Sequence, residues 1–439
     1  MKFYNFPAEG EMQCDVRLFA SELIYDEIEA TALKQLFDAS KIPGIIAVVG
    51  MPDLHQGYGL PIGGIMVSRI NDGIISPGAV GFDINCGVRL MTTQLEFSQL
   101  QNNLEKIMRK AQIKIPAGVG EEKENIFNKN EFKEILNHGV PYLVNEKGIG
   151  KKNDIDACED NGFIEGADAE AVPEKAIERA FNQLATLGSG NHFLELQRVK
   201  EVYAKDCGLF EDQLVFMIHT GSRAFGHQIA KHYSNIAKKS GVKTPTKNLA
   251  SFKINSEGGI NYKKAMAAAA NFAFANRHLI AHNLRHIIKE FYPQESFDLF
   301  YDITHNIAKK ELYQGEEVLV HRKGACKLAK DGIALIPGSM GTFSYLIKAQ
   351  NSKANELSYY STAHGAGRKM SRSQAKKDIS QKDHFNSMGT VKLYHSSSDS
   401  ILDESPLAYK DINTVIDALE KTELAKAVAK FEPAAVIKG

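Results

Sequence analysis

The chain has 439 residues, enough for about three average domains or one large body with a sizeable core. Lys and Arg together number 53 and so do Asp and Glu, so the net charge is zero. The chain therefore cannot hold polyanions by bulk charge, and affinity for nucleic acid must come from a local patch. With 43% hydrophobic and 24% charged residues, wholesale disorder is excluded.

No apolar run approaches the roughly 18 residues of a membrane span, and the first residues lack a signal-peptide core. A cytoplasmic protein with no membrane partner is expected. The five cysteines (Cys14, Cys86, Cys158, Cys207, Cys326) are scattered, with no CxxC pair, which argues against a disulfide framework or a zinc ribbon.

In chain order, the apolar run at 45–49 predicts a buried strand, and Ser98 is expected to cap a helix carrying Leu100, Leu104, Ile107 and Met108. The stretch from about 120 to 174 is polar and acid-rich and reads as a surface excursion. Residues 214–218 predict a second strand, and Phe297, Leu299, Tyr301 and Ile303 alternate as a third. A long helix is expected over 263–290. Ile412, Val415, Ile416 and Leu419 mark an amphipathic helix before a short apolar stretch at 434–437. No repeat or long linker divides the chain. The reading is α+β, one catalytic body over 1–439 with mixed sheets and surrounding helices.

The densest unusual segment lies at 76–89, where Asp83 and Cys86 sit three apart among Gly78, Gly81 and Gly87 and can offer a hard oxygen and a soft thiolate to one point. His192, His219 and His305 each border an apolar run, where strands project site residues from a rigid scaffold. Five such ligands are too many for one tetrahedral ion with an open position, and they suit two ions sharing the Cys. The alternative is three satisfied histidines at strand ends. His278, His282 and His286 recur every fourth residue on the long helix, but the Glu of an HExxH zinc motif is missing, so a packed or solvated face is expected there.

His364 sits among small residues, and its imidazole can attack phosphorus while the loop amides and Arg368 neutralise a phosphate. From 361 to 382 six cations (Arg368, Lys369, Arg372, Lys376, Lys377, Lys382) face one acid, Asp378, a local basic patch on a neutral chain. The Gly-rich run at 336–345 lacks the ending of a Walker A loop.

Together these segments resemble the RtcB family of RNA-splicing ligases, and the resemblance runs nearly end to end. It rests on MPDLHQGYG at 51–59, GFDINCGVRL at 81–90, LGSGNHFLE at 187–195, HTGSRAFGH at 219–227, His305 with Asn306, PGSMGT at 337–342, HGAGR at 364–368 and VIKG at 436–439. It implies a GTP-dependent ligase that joins RNA 3′-phosphate or 2′,3′-cyclic phosphate ends to 5′-hydroxyl ends, with room for an activating protein partner. By the resemblance Cys86 bridges two Mn²⁺ ions, with Asp83 and His192 on one and His219 and His305 on the other, and His364 carries GMP. Asn191, Glu195, Asn306, Ser339, Ser344, Gly365, Ala366, Gly367, Tyr409 and Lys438 match guanylate-holding positions, and Asp53, Arg223 and Arg368 match residues around the site. Donor softness alone favours Zn²⁺ over Mn²⁺. Ala224, Cys326 and Lys327 depart from the family pattern. The alternative reading is a metal-dependent RNA-end or nucleotide hydrolase on the same scaffold.

Overall fold

Two sheets organise the protein, whose computed structural model describes residues 3–100, 102–395 and 401–439. The six-stranded sheet runs in the spatial order Tyr4–Phe6, Val16–Leu18, Ile45–His55, Ile62–Arg69, Glu316–Lys323, Asn306–Tyr313. The eight-stranded sheet runs Asp298–Thr304, Gly87–Glu96, Gln213–Thr220, Phe193–Val202, Ala425–Lys438, Ser344–Ala349, Ile333–Ile336. Its last member, Lys392–His395, pairs in parallel with Ala425–Lys438. Helices surround the sheets, and the α+β reading holds. No helix among the described residues is long and apolar enough to cross a membrane.

The strand expected at 45–49 extends to His55, and that at 214–218 is Gln213–Thr220, buried at every position. The long helix expected over 263–290 begins earlier, running Glu257–Phe291, with Ser256 capping it by accepting from the Gly259 amide. Its alanine run is buried, with no side chain to hold neighbouring helices away. The apolar stretch at 434–437 is the end of the strand Ala425–Lys438, which fixes the chain terminus in the sheet.

Two local expectations need correcting. Ser98 is not a helix cap: its hydroxyl bonds back to Glu96 at 3.3 Å inside the short turn Phe97–Leu100, and the helix begins later, at Leu104–Lys114. Nor is the acid-rich stretch a mere surface excursion. Its helix Lys129–Asn145 buries Phe132, Ile135, Leu136 and Leu143 in the core that also holds Phe272 of the long helix. Two of its acids are buried because each has a cation: Asp154 pairs with Arg285 at 2.9 Å and Glu159 with Lys309 at 2.6 Å. Glu159 also accepts from the Thr304 amide and hydroxyl at 2.9 and 2.8 Å, so this stretch braces the strand Asp298–Thr304.

Behind that strand lies a fully buried charge cluster. Asp302 accepts from Arg89 Nε at 2.6 Å and from Arg277 Nη2 at 2.9 Å, and all three side chains are 0% exposed. Arg277 also donates through Nη1 to the carbonyls of Asn85 and Thr220, each at 2.9 Å. Asp302→Ala would leave two guanidinium groups buried without their anion. It is expected to cost about 3–5 kcal/mol of folding stability, read as a lowered midpoint in urea denaturation.

Candidate active site

In an antiparallel sheet the end of one strand lies beside the start of the next. Successive members of the eight-stranded sheet therefore bring distant residues to one edge. His305 follows Asp298–Thr304, Cys86 precedes Gly87–Glu96, His219 is near the end of Gln213–Thr220, His192 precedes Phe193–Val202, and Lys438 ends Ala425–Lys438. Register locks the arrangement, with Thr304 opposite Gly87, and His219 opposite both Val88 and Phe193. The His305 amide donates to the Cys86 carbonyl at 2.9 Å.

The donor atoms converge. Cys86 Sγ lies 3.4 Å from Nε2 of both His192 and His219, His219 Nε2 lies 3.3 Å from His305 Nε2, and His192 Nε2 lies 2.8 Å from Asp83 Oδ2. Two metal-type groups result, Asp83 with Cys86 and His192, and Cys86 with His219 and His305, and Cys86 belongs to both. Burial, then neighbouring imidazoles, hold His219 and His305 well below their ordinary pKa, so both rings are neutral and present lone pairs. Burial opposes ionisation of Asp83, but His192, Cys86 and Arg223 outweigh it and hold the carboxyl down to about 2. Burial and the Asp83 charge push the Cys86 thiol up, a cost that a bound cation would reverse. This donor set fits divalent metal. Gly221 makes room for it, since a Cβ there would stand 2.5 Å from both Asp83 carboxylate oxygens.

His364 follows the strand Ser361–Ala363, which pairs with Ala325–Lys327. Its partner is Asp53, on the strand Ile45–His55 of the other sheet and fully buried. One oxygen, Asp53 Oδ2, accepts from the His364 backbone amide at 3.0 Å and from Nδ1 at 2.6 Å. A carboxylate only accepts, so in the neutral ring the Nδ1 position carries the proton and Nε2 the lone pair. The ring centre lies 4.7 Å from that of His305, at the metal-type groups. Gly367 is required beside this pair, because its φ is 73° and a Cβ would meet the Asp53 carbonyl at 2.3 Å.

A cavity of about 310 Å³ joins these parts. Of the residues expected at the site, Asp83, Cys86, Asn191, His219, His305, Asn306, Ser339, His364, Gly365, Ala366, Gly367, Arg368, Tyr409 and Lys438 line it. Others stand behind its wall. Asp53 and His192 hold lining residues, Ser344 Oγ accepts from the Gly338 amide at 3.2 Å, and Arg223 reaches away to Thr186 and the Gly118 carbonyl. Glu195 is 1% exposed and bonded to Gln197, and burial raises its carboxyl to about 8. Lys438 Nζ donates to the His192 carbonyl at 3.3 Å, and burial lowers its pKa.

Sequence reasoning passed over Lys323 and Glu404, and it counted Arg372 only as part of a basic patch; all three line the cavity. Lys323 donates to the carbonyls of Tyr58 and Gly78, and burial pulls its ammonium down to about 7. It follows Arg322 in a run with no special spacing, so no local signal marked it. Glu404 accepts a hydrogen bond from the Tyr409 hydroxyl and pairs with Arg372 at 2.9 Å. His278, by contrast, donates Nε2–H to the Ile149 carbonyl at 2.8 Å and is packed, as expected.

The shared donor set and the anchored imidazole open on one cavity, an arrangement that suits a metal-dependent enzyme. Comparison with known proteins gives its kind. A family described as tRNA-splicing ligase RtcB matches residues 35–439. A tRNA-splicing ligase RtcB of Nanoarchaeum equitans is 38% identical over 468 aligned residues, covering 99% of this chain and 98% of the relative. The RNA-splicing ligase RtcB of Mycobacterium tuberculosis is 39% identical over 436, covering 92% and 100%. The chain belongs to the RtcB family and is an RNA ligase.

Glu195 gives a pH prediction. Its folded pKa of about 8 exceeds the ordinary glutamate value of 4.5, so between these the native state binds the extra proton and stability falls as pH rises. Glu195→Gln removes that proton linkage. Urea denaturation at pH 5 and pH 8 should show wild type losing several kcal/mol relative to the variant across this interval.

Proposed function

We propose that this enzyme joins RNA 3′-phosphate or 2′,3′-cyclic phosphate ends to 5′-hydroxyl ends with GTP, and that His364 is its nucleophile. One observation carries the reading. His364 has Nδ1 tied to Asp53, which in the neutral ring directs the Nε2 lone pair away from that bond, and its ring lies beside that of His305. In the first step Nε2 attacks the α-phosphorus of GTP, the bond to the bridging oxygen breaks, and pyrophosphate leaves. Asp53 stabilises the imidazolium character that develops, as a carboxylate does behind a histidine in other enzymes. A 2′,3′-cyclic phosphate is first opened by water to a 3′-phosphate; the RNA 3′-phosphate then takes GMP from the histidine, and the 5′-hydroxyl attacks the activated end and releases GMP.

Two Mn²⁺ ions would be held by Asp83, Cys86 and His192 and by Cys86, His219 and His305, where their charge offsets that of phosphate oxygens. Manganese follows from the family resemblance against the softer preference of the donors. Lys438 supplies a donor suited to guanine O6, and Glu195 an acceptor suited to N1 and N2. Glu195 would release its proton to solvent as guanine binds, so that its carboxylate can accept from N1 and N2. Adenine offers an amine where Lys438 needs an acceptor, so ATP is disfavoured. The relatives' names, tRNA-splicing and RNA-splicing ligase, support a broken RNA as substrate, and a cytoplasmic location and an activating protein partner are further elements of the proposal.

Incubation with labelled GTP and Mn²⁺, followed by denaturing electrophoresis, tests the nucleophile. Wild type should retain label, His364→Ala none, and Asp53→Asn should form the adduct about a hundredfold or more slowly. An undiminished adduct in His364→Ala overturns the assignment, and clean phosphate removal without joining would move the activity to the hydrolase class. For the metals, Cys86→Ala should lose both ions and His305→Ala chiefly one, measured as metal per chain after gel filtration. Two ions retained by Cys86→Ala would exclude a bridge.

A further inference from the structure

A neutral chain must hold RNA by a local patch, and the structure contains one at the cavity rim. After the His364 loop the chain forms two short helices, Arg372–Asp378 and Gln381–Met388. Their buried residues are few: Ala375 packs with Ile379 and Ala408, while His384 and Met388 are the buried positions of the second helix. The arm is fixed against the cavity from two directions. The Arg372 guanidinium lies where a Cβ on Gly190 would stand 2.8 Å from it, and Met388 Cα approaches Gly341 to 3.2 Å on the same measure. Gly190 precedes Asn191, and Gly341 follows Met340, both in the cavity lining.

From 368 to 390 the arm carries Arg368, Lys369, Arg372, Lys376, Lys377 and Lys382 against Asp378 and Asp383. Part of this charge is used internally, since Arg368 and Arg372 pair with Glu404, and Arg372 and Lys376 with Asp403. Lys369, Lys377 and Lys382 are exposed, and none forms an ion pair among the described residues. Phe385, one turn from Lys382 on the helix Gln381–Met388, is 59% exposed and in ring contact with His384 at 5.2 Å. Unpaired ammonium groups beside an accessible aromatic face are what a single strand needs, charge for its phosphates and a ring on which a base can stack.

We infer that this two-helix arm is the platform for the RNA strand whose terminal phosphate enters the cavity, with Phe385 stacking a base and Lys377 and Lys382 neutralising phosphates. The inference rests on the ligase reading for the phosphate's destination. An acidic protein segment would satisfy the lysines, but RNA is favoured because the patch continues, through Arg368 and Arg372, into the cavity where the RNA end reacts.

Fluorescence anisotropy with a single-stranded RNA of about twelve nucleotides ending in a 3′-phosphate tests it, using the full chain across a salt series. Phe385→Ala should weaken binding about fivefold or more. Lys377→Gln with Lys382→Gln should reduce the slope of log affinity against log salt by about 1.4. Both variants should form the GMP adduct at the wild-type rate when RNA is omitted, which shows that they are folded. Unchanged RNA affinity and salt slope in both overturn the inference and leave the arm to a protein partner. Failure of wild type to form the adduct or join RNA overturns the ligase reading instead, while the binding comparison still decides the platform.

Discussion

The carboxylate of Asp302 is the interaction on which the active centre depends. It neutralises Arg89 and Arg277 where no water reaches them, and Arg277 is then free to donate to the Asn85 and Thr220 carbonyls. Those carbonyls stand next to Cys86 and His219, and Asp302 itself lies on the strand that leads to His305. One guanidinium thus joins three strand ends that carry metal-type donors. The geometry matters because metal donors must be held within tenths of an ångström while nothing flexible supports them. A buried ion cluster is expensive to desolvate, and its use here is positional.

The acid-rich stretch is part of the same device. Glu159 takes both the amide and the hydroxyl of Thr304, one residue before His305, and Lys309 balances its charge from the other side. What the sequence presents as solvated acids is a brace whose anions are matched by cations more than a hundred residues away. Polarity along the chain predicted exposure, but pairing in three dimensions reversed it.

In the cavity lining and directly behind it, ionisable groups are held away from their usual states. Burial brings Lys323 down to about 7 and lifts Glu195 to about 8, and it also lowers Lys438. Such groups are unstable as isolated charges and gain most from a ligand that brings complementary donors, acceptors or phosphate charge. The enzyme's interior is therefore destabilised where it meets its substrate, and the surrounding sheets hold it in place.

Much of this was legible in the chain itself. Apolar runs ending in His219 and His305, and the Asp83–Cys86 spacing in a Gly-rich turn, marked the metal-type donors because strand ends have a local pattern and metal donors a restricted chemistry. Small residues around His364 marked the loop for the same reason. The order of strands is not local, and so the sequence was silent on what it produces. Asp53 meets His364 across 311 residues, Lys323 enters the cavity from an ordinary run, and Glu404 arrives beside Arg372. By itself the sequence determined which side chains could do the chemistry. Only the tertiary structure decided which of them share one cavity and which proton each holds, because both depend on strand pairings and burial between segments that carry no record of one another along the chain.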